Sequence, residues 1–247
     1  MEDRKLTVRA VERALDILLC FTRTSDLGLT EIATEIGLHK STVHRLLATL
    51  EEKGFVIRNS STDKYRLGIK IWELSTHLSQ NDDPALLLLA DMEELREQLG
   101  ETISLYLRDG DERLRIQAVQ SNQAVRRVAP VGARLPLTVG ASSKVLVAFS
   151  SSEQQEELLN SPDWPNTVDV THYREQIAEV QRNGYSTSYE EREPGAAAVA
   201  VPIFDRTGAL RASLSLSGPV SRLSMDKLHE YAPVLIQAAQ EMGFKLR

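Results

Sequence analysis

The stretch Leu38–Phe55, LHKSTVHRLLATLEEKGF, constrains the fold of this chain more than any other. Its apolar side chains recur at the i, i+3, i+4, i+7 spacing that places one face of a helix in a core. These apolar positions are Val43, Leu46, Leu47 and Leu50. Gly54 is expected to end the helix, because glycine tolerates the left-handed backbone of a C-terminal cap. The stretch therefore predicts a short amphipathic helix.

The charges on the polar face of this helix are unevenly placed. Cations and hydroxyl groups occupy its leading end, whereas Glu51 and Glu52 lie at its far end. The outward positions are Lys40, Ser41, Thr42, His44, Arg45 and Thr49. Such a leading end suits a helix whose first residues enter the major groove of DNA and reach phosphates and base edges. An ordinary solvated helix is the alternative, and the flanking sequence decides between the two.

Two predicted helices precede this one. Val8–Phe21 predicts a first helix, and a second, short helix begins near Leu29, with Thr30 as its N-cap, and ends at Gly37. The apolar stripe of the first helix is expected at Val8, Val11, Ala14, Leu15, Leu18 and Leu19. A short turn then leads into the amphipathic helix. Helix, turn and helix in this order is the geometry of a helix-turn-helix motif.

A β-hairpin with a basic tip follows and predicts a wing. Its two strands flank the polar turn 59–63, and Arg58, Lys64 and Arg66 on them can touch backbone phosphates. Arg9 stands at the leading end of the first helix, where a cation opposes the helix dipole and an outside phosphate would explain its presence. The predicted DNA-binding residues are Arg9, Thr30, Lys40, Ser41, Thr42, His44, Arg45, Arg58, Lys64 and Arg66.

Composition bounds the rest of the chain. At 247 residues two domains are the natural expectation, and the net charge of −6 divides into +1 over residues 1–75 and −7 over the remainder. This asymmetry fits a nucleic-acid module attached to an acidic domain. The single cysteine, Cys20, excludes an internal disulfide and a cysteine-cluster zinc site. No apolar run approaches a membrane span and no signal region is evident, so the cytoplasm is the expected compartment.

The C-terminal part of the chain mixes strand and helix patterns. Asp83 is a predicted N-cap for a helix from Pro84 to Leu99. Strands are predicted over residues 102–108, 114–120, 125–131, 185–189, 197–204 and 209–217, and helices over 140–149, 152–159, 173–183 and 224–242. The predicted fold class is α+β. The expected domains are a winged helix-turn-helix domain over residues 1–68, a helical linker over 69–99 and an α/β domain over 100–247.

The segments VERALDILLCF, GLTEIATEIGLHKSTVHRLLATLEEKGFV and KYRLG, in that order, resemble the bacterial isocitrate-lyase-regulator (IclR) family of transcription factors. The C-terminal half resembles the family independently, through Leu135-Pro136-Leu137 ahead of a helix that holds Lys144, through Pro194-Gly195 and through Ser217-Gly218-Pro219. The resemblance implies a winged-helix domain joined by a helical linker to a GAF-like effector-binding domain. It also implies dimers made through the DNA-binding domains, often paired into tetramers.

The resemblance further implies where an effector binds. The positions that match the family's motifs are Ala141, Ser142, Ser188, Ala198, Ser215 and Ser217. An acid is common in the family at the position of Ser188 and a cysteine at that of Ala198, so a roomier and less charged pocket for a larger or aromatic ligand is expected here. Backbone N–H groups at a helix N-terminus bind carboxylates, which favours a small carboxylic acid. Alternatively, small residues here only let a helix pack on a sheet.

Enzymatic functions find little support in the sequence. The five histidines form neither an i, i+4 pair nor an HExxH motif, so no metal site or cofactor is expected. Glu190 and Glu191 could serve as an acid/base pair, but acids ahead of Pro194 are more typical of a solvated loop. No nucleophile elbow, P-loop or dinucleotide motif occurs. Lys144 is expected in a salt bridge or in solvent.

The sequence therefore predicts an effector-responsive, DNA-binding transcription regulator, with repression as its expected sign. Its expected partners are a double-stranded operator, a small carboxylic acid and further copies of the chain. One alternative is a small-molecule-processing enzyme that uses the winged helix only to dimerise. Another is a structural DNA-binding protein whose C-terminal domain binds no ligand. The sequence names neither the effector nor the operator, and dimer and tetramer both stay open.

Overall fold

The computed structural model of the protein describes residues 7–22, 24–78, 83–126 and 130–246. The chain divides into two compact units, residues 1–81 and 82–247. Each unit has its own hydrophobic core. The two units are a helical domain with a small sheet and an α/β domain built on one large sheet, so the predicted fold class is confirmed.

The first unit is a helix-turn-helix with a wing. Its elements are α1 (Arg9–Cys20), β1 (Leu27–Gly28), α2 (Leu29–Glu35), α3 (Lys40–Glu52), β2 (Val56–Arg58), β3 (Lys64–Leu67) and α4 (Ile69–Leu78). The strands form an antiparallel sheet in the order β1-β3-β2. The predicted helices and hairpin are confirmed. Strand β1 was not predicted, because two residues are too few to show a period.

The core of the first unit lies among α1, α2 and α3, with Ile17, Ile32, Val43 and Leu47 fully buried. Four of the six positions of the predicted apolar stripe of α1 lie outside this core. Val8, Val11, Leu15 and Leu19 are 54–65% exposed. Helix α1 is apolar on two sides, and the core takes the side that carries Ile17 and Cys20. Helical spacing alone does not decide which of two apolar sides is buried.

The start of α2 also differs from the prediction. Its N-cap is Gly28 rather than Thr30, and the Gly28 N–H donates to Oε2 of Glu31 at 2.6 Å. A Cβ atom at position 28 would lie 3.2 Å from that oxygen, so glycine lets Glu31 close over the helix start. Thr30 lies inside the first turn, and its carbonyl accepts the Thr34 hydroxyl at 2.9 Å.

The second unit is one antiparallel sheet between two helical layers. Its elements are α5 (Pro84–Leu87), α6 (Leu89–Leu99), β4 (Thr102–Asp109), β5 (Glu112–Val119), β6 (Arg134–Pro136), α7 (Ala141–Ala148), α8 (Ser152–Leu159), α9 (Val170–Asn183), β7 (Ser186–Tyr189), β8 (Ala196–Phe204), β9 (Leu210–Pro219) and α10 (Met225–Gly243). The strand order is β6-β5-β4-β9-β8-β7. Successive side chains of a strand point to opposite faces, so each strand contributes to both layers.

The two faces of this sheet have different compositions. On the face packed against α6 and α10, strands β4, β8 and β9 present aliphatic residues such as Ile103, Val199 and Leu216. On the face packed against α7, the same strands present small or polar residues such as Ser104 and Ala200. The first face supplies a conventional apolar core, whereas the second leaves many hydroxyl groups under a helix.

Two predictions for the second unit need revision, and one strand, β6, was not predicted. The predicted helix from Pro84 to Leu99 is two helices, because Leu88 leaves helical geometry between α5 and α6. The predicted strand over 125–131 includes residues 127–129, which lie outside the described residues, and neither Val125 nor Val131 is in a strand. The strand that pairs with β5 is β6.

The segment predicted as a linker, residues 69–99, contributes helices to both units. Helix α4 belongs to the first unit, and Leu88, Met92 and Leu95 are buried in the core of the second. The N-cap predicted at Asp83 is confirmed, since its carboxylate accepts the Ala85 N–H at 2.9 Å. A connecting role for residues 69–99 stays a prediction.

Candidate nucleic-acid interface and ligand-binding site

Helix α3 presents the residues predicted to contact DNA. Its apolar stripe is anchored in the core, which turns Lys40, Ser41, His44 and Arg45 to solvent and leaves Thr42 half-buried. The N-cap, His39, makes no side-chain capping hydrogen bond with the described residues. Unfilled N–H groups at the start of a helix favour an anion such as a phosphate. The leading end of α3 can thus offer both side chains and backbone to DNA.

A cationic cleft lies between α1 and α3. It measures about 340 Å³ and is lined by Arg9, Arg13, Arg45 and Thr42, among others. Within the described part of the chain, none of these three arginines forms an ion pair. The described residues therefore leave these charges uncompensated, which fits contact with an external polyanion. Arg13 was not among the predicted DNA-binding residues and joins the candidate interface here.

The three predicted wing cations differ in their surroundings. The Arg58 guanidinium pairs with Asp63 at 2.7 Å, and this hydrogen bond raises the Arg58 pKa. Lys64 Nζ lies 3.4 Å from Asp26 and 3.8 Å from Glu31. Arg66 is exposed and makes no ion pair with the described residues. Arg66 is thus the wing cation most available to a phosphate, whereas Arg58 and Lys64 also hold the hairpin and its neighbours together.

The predicted effector-binding residues converge beneath α7. Ser188 on β7 pairs with Ala198 on β8, which pairs with Ser217 on β9, so these three form one row across the sheet. Ser215 lies two residues from Ser217 on the same face. Ala141 and Ser142 open α7, which contacts β7, β8 and β9. The chain thus brings the six positions together under one helix, with Ala198 half-buried and the other five buried.

A buried arginine stands at the N-terminus of α7. Arg113, on β5, is 4% exposed. Its Nη1 donates to the Val139 carbonyl at 3.1 Å and to the Ser143 hydroxyl at 2.5 Å. Both Nη atoms lie so close to Gly140 that a Cβ there would stand 3.1 and 3.2 Å from them. A cation at this end of a helix opposes the helix dipole, unless an anion joins it.

Arg115 lies beside Arg113 on the same face of the sheet. It is 1% exposed, and its Nη2 donates to the Ser104 hydroxyl. Both guanidinium groups stand over the ring of Tyr106, at 5.2 Å for Arg113 and 5.9 Å for Arg115. Burial lowers the pKa of Arg113 to about 10 and also lowers that of Arg115, and the positive charge of Arg192 acts in the same direction. The site is therefore strongly electropositive and largely shielded from water.

Lys144 adds a third buried cation, and its partner is identified. Its side chain is 5% exposed, and its Nζ donates to Oε1 of Glu191 at 2.7 Å. The expectation of a salt bridge at Lys144 is confirmed. The bond ties the first turn of α7 to the segment that follows β7. Glu191 thus serves as an ion-pair partner, and no acid/base role is needed to explain it.

Sequence reasoning missed Arg113, Arg115 and Tyr106. Two arginines separated by one residue share a face when both lie in one strand, but the predicted strand began at residue 114 and left Arg113 out. Charged residues are almost never fully buried unless paired, so the residue types alone did not point to a buried site. Only the sheet order, which places β5 beside β4 with α7 against both, shows that the arginines are inside.

The described residues contain no group of three or more His, Cys, Asp or Glu side chains arranged to hold a metal ion. Among them, no helix is both long and apolar enough to cross a membrane.

The fold and the exposed face of α3 define a winged-helix DNA-binding regulator with a separate ligand-binding unit. The model of the IclR helix-turn-helix domain matches residues 10–60, and the model of the bacterial transcriptional regulator IclR C-terminal domain matches residues 86–243. The chain therefore belongs to the IclR family of transcriptional regulators.

Individual relatives agree with this assignment. The transcriptional regulator KdgR of Dickeya chrysanthemi is 34% identical over 96% of this chain and 79% of its own. The transcriptional repressor IclR of Escherichia coli is 30% identical over 95% of this chain and 89% of its own. Such relatives are named as regulators, so the alternative of an enzyme is not supported.

A solved structure resembles the chain over both units. An IclR homologue from Microbacterium hydrocarbonoxydans, complexed with 4-hydroxybenzoate, has a TM-score of 0.82 and 26% identity, over 96% of this chain and 99% of that chain. The Thermotoga maritima IclR structure has a TM-score of 0.73 and 29% identity, over 96% and 98% of the two chains. DNA and a small-molecule effector are thus the partners expected of this family.

Proposed function

We propose that the protein is a repressor whose α3 enters the major groove of its operator. Lys40, Ser41, Thr42, His44 and Arg45 contact base edges and flanking phosphates there. Arg9, Thr30, Arg58, Lys64 and Arg66 hold the DNA backbone, with Arg13 added by the cleft. The observation that carries this proposal is the set of three arginines, Arg9, Arg13 and Arg45, that line the cleft beside α3 and form no ion pair with the described residues. A repressor sign is supported by relatives that carry that name. The DNA it would bind places it in the cytoplasm.

A homodimer through the first units is the assembly we propose. The exposed apolar side of α1, defined by Val8, Val11, Leu15 and Leu19, is too extensive to leave in water on a monomer. On α4, Trp72 is 66% and Ile69 63% exposed, which adds a second apolar surface. A two-fold dimer places two α3 helices for paired half-sites about one DNA turn apart, roughly 34 Å. Pairing of dimers into tetramers is proposed on family resemblance.

The second unit, in this proposal, binds a small carboxylic acid that changes operator affinity. The electropositive site at the start of α7 supports an anionic ligand. The 4-hydroxybenzoate in the Microbacterium homologue supports an acid of this size and keeps an aromatic ligand under consideration. Modulation requires only that the acid binds one arrangement of the dimer better, and coupling free energies are typically about 1–3 kcal/mol.

The proposal is tested by DNA binding. Sites selected by the purified protein from a random double-stranded pool would be labelled, and affinity measured by fluorescence anisotropy at several salt concentrations. Arg45→Ala should weaken the selected site by roughly 1–3 kcal/mol if Arg45 contacts a base. Arg66→Ala should weaken all sequences about equally and reduce the salt slope by about 1.

Lys53→Ala is the matched control for Arg45→Ala. It removes one exposed cation from the trailing end of the same helix, away from the cleft. It should leave selectivity unchanged. Equal losses for Arg45→Ala and Lys53→Ala would show that only net charge matters and would refute the placement of α3.

A further inference from the structure

The side chains on the sheet face under α7 indicate which kind of ligand this face can bind. Strand β9 places Ser213, Ser215 and Ser217 on this face, opposite Tyr106, Ser104 and Thr102 of β4. On the other side of β9, Ala198 and Ala200 place only methyl side chains beside the serines. Ser142 of α7 and Ser188 of β7 complete the lining. The lining is small and rich in hydroxyl groups, and Tyr106 is its aromatic component.

Most of these hydroxyl groups have no protein partner. Within the described residues, the side chains of Ser142, Ser188, Ser213, Ser215 and Ser217 form no hydrogen bond, although each is at most 7% exposed. The Ser213 oxygen is fully buried, and since fully buried polar groups in native proteins are normally hydrogen-bonded, this hydroxyl group lacks its expected partner. Five hydroxyl groups on one face can each donate and accept. They match a ligand that is itself polyhydroxylated.

Arg113 supplies the matching charge at one end of this face. Its Nε is buried and has no hydrogen-bond partner among the described residues, while its Nη1 is fixed by Val139 and Ser143. The side chain is thus held rigidly with one edge unused. A carboxylate binds such an edge with charge-assisted, often bidentate hydrogen bonds. The start of α7 lies at the same point and favours the same negative charge.

We propose that the effector is a polyhydroxylated carboxylic acid of sugar-acid type, whose carboxylate binds Arg113 at the start of α7 and whose hydroxyl groups bind the serines of β9 and β7. The inference rests on the proposed function, in which the second unit binds an effector. It goes beyond that function by naming the anchor and the ligand class. An aromatic acid would leave most of the serine hydroxyl groups unpaired.

A matched set of small molecules separates the two parts of the proposal. The full-length protein is titrated calorimetrically with gluconate and galacturonate, which carry a carboxylate and several hydroxyl groups. Hexanoate retains the carboxylate without hydroxyl groups, and sorbitol retains hydroxyl groups without the carboxylate. At least one of the two sugar acids should bind at least about tenfold more tightly than hexanoate and sorbitol, because each comparison removes several hydrogen bonds. The aromatic acid 4-hydroxybenzoate completes the set.

Variants locate the site. Arg113→Met should weaken the sugar acid by roughly 10- to 100-fold, since it removes a charge-assisted anchor. Arg134→Met is the control, because Arg134 is an exposed cation on the neighbouring strand that pairs with Asp109 and Glu112. Ser213→Ala removes a hydroxyl group that no described residue uses, so it should weaken the ligand without lowering the melting temperature of the free protein. This second variant keeps the test decisive if Arg113→Met folds poorly.

The outcomes are distinct. Equal binding of hexanoate and the sugar acids would overturn the polyhydroxylated class, and full affinity in Arg113→Met would overturn the anchor. Binding of 4-hydroxybenzoate alone would overturn this inference and leave the proposed function standing. Failure of every acid to bind would remove the effector from the proposed function as well, while selective operator binding would still stand on its own measurement.

Discussion

The ion pair between Lys144 and Glu191 offers a quantitative test of how the ligand-binding face is held. Lys144 lies in the first turn of α7, and Glu191 lies in the segment after β7. Their atoms Nζ and Oε1 are 2.7 Å apart. Glu191→Gln keeps the shape of the side chain and removes its charge. The ammonium of Lys144 then stays in a site that is 5% exposed without its counter-charge.

The magnitude follows from the exposure of the two partners. Removing one member of a fully buried ion pair costs roughly 3–5 kcal/mol, because an uncompensated charge is left inside. The Glu191 side chain is 31% exposed, so water reaches that end of the pair and relieves part of the cost. We expect Glu191→Gln to lower the free energy of unfolding by about 1–3 kcal/mol. In the double variant Lys144→Met/Glu191→Gln, the loss of unfolding free energy should be at least about 1 kcal/mol smaller than the summed losses of the two single variants.

Urea unfolding followed by Trp164 fluorescence measures this in the second unit. Trp164 donates its indole N–H to the Val168 carbonyl at 2.7 Å and packs edge-on against Tyr173, so its emission reports this core. Trp72 is replaced by Phe in every protein, so that the first unit contributes no signal. Protein concentration is held fixed because association adds to apparent stability. A change below about 0.5 kcal/mol for Glu191→Gln, with additive effects in the double variant, would refute the reasoning.

Three further predictions concern the fold, acid stability and assembly. Gly243→Ala should lower the free energy of unfolding by about 1–3 kcal/mol in the same urea assay, because its Cβ would overlap the carbonyl oxygen of Phe204. Hydrogen bonds from Arg174 lower the pKa of Glu156 to about 2 from 4.5, so their stabilisation is present above pH 4.5 and lost as pH falls through 2. Arg174→Met should therefore destabilise the protein at pH 6 and have little effect below about pH 2, measured by thermal unfolding across pH. Leu15→Glu, which places a charge on the exposed apolar side of α1, should give monomers in sedimentation and weaken operator binding.

Each of these has a clear contrary result. Wild-type stability of Gly243→Ala would mean that the end of α10 moves freely away from β8. A pH-independent effect of Arg174→Met would mean that the arginine acts through packing and not through the carboxylate. Retention of the dimer in Leu15→Glu would exclude this side of α1 as the interface. Arg182→Met, which removes a cation from the last turn of the same helix as Arg174, serves as the control for the acid series.

The sequence predicted most of the secondary structure because the controlling interactions are local. The period of α3, the Asp83 cap and the turn between β2 and β3 are each specified within a few residues. Prediction failed where a distant partner decides. Both sides of α1 are apolar, and the side that faces the core is chosen by α2 and α3. The N-cap of α2 is Gly28 and not the predicted Thr30, because the Glu31 carboxylate accepts the N–H of Gly28. Residues 84–99 divide at Leu88, which is fully buried in the core.

The proposed ligand site shows the same limit more sharply. Family resemblance gave the proposed positions on α7, β7, β8 and β9, and the strands bring Ser188, Ala198 and Ser217 into one row. It did not give the charge of the site, because that charge comes from Arg113 and Arg115 on β5, which no motif marked. The absence of an acid at Ser188 and of a cysteine at Ala198 suggested a less charged, aromatic-binding pocket. With two buried guanidinium groups beside unpaired serine hydroxyls, the same substitutions instead remove a negative charge that would repel a carboxylate. The absence of an acid at Ser188 and the presence of Arg113 thus both favour a hydroxylated anion as the ligand.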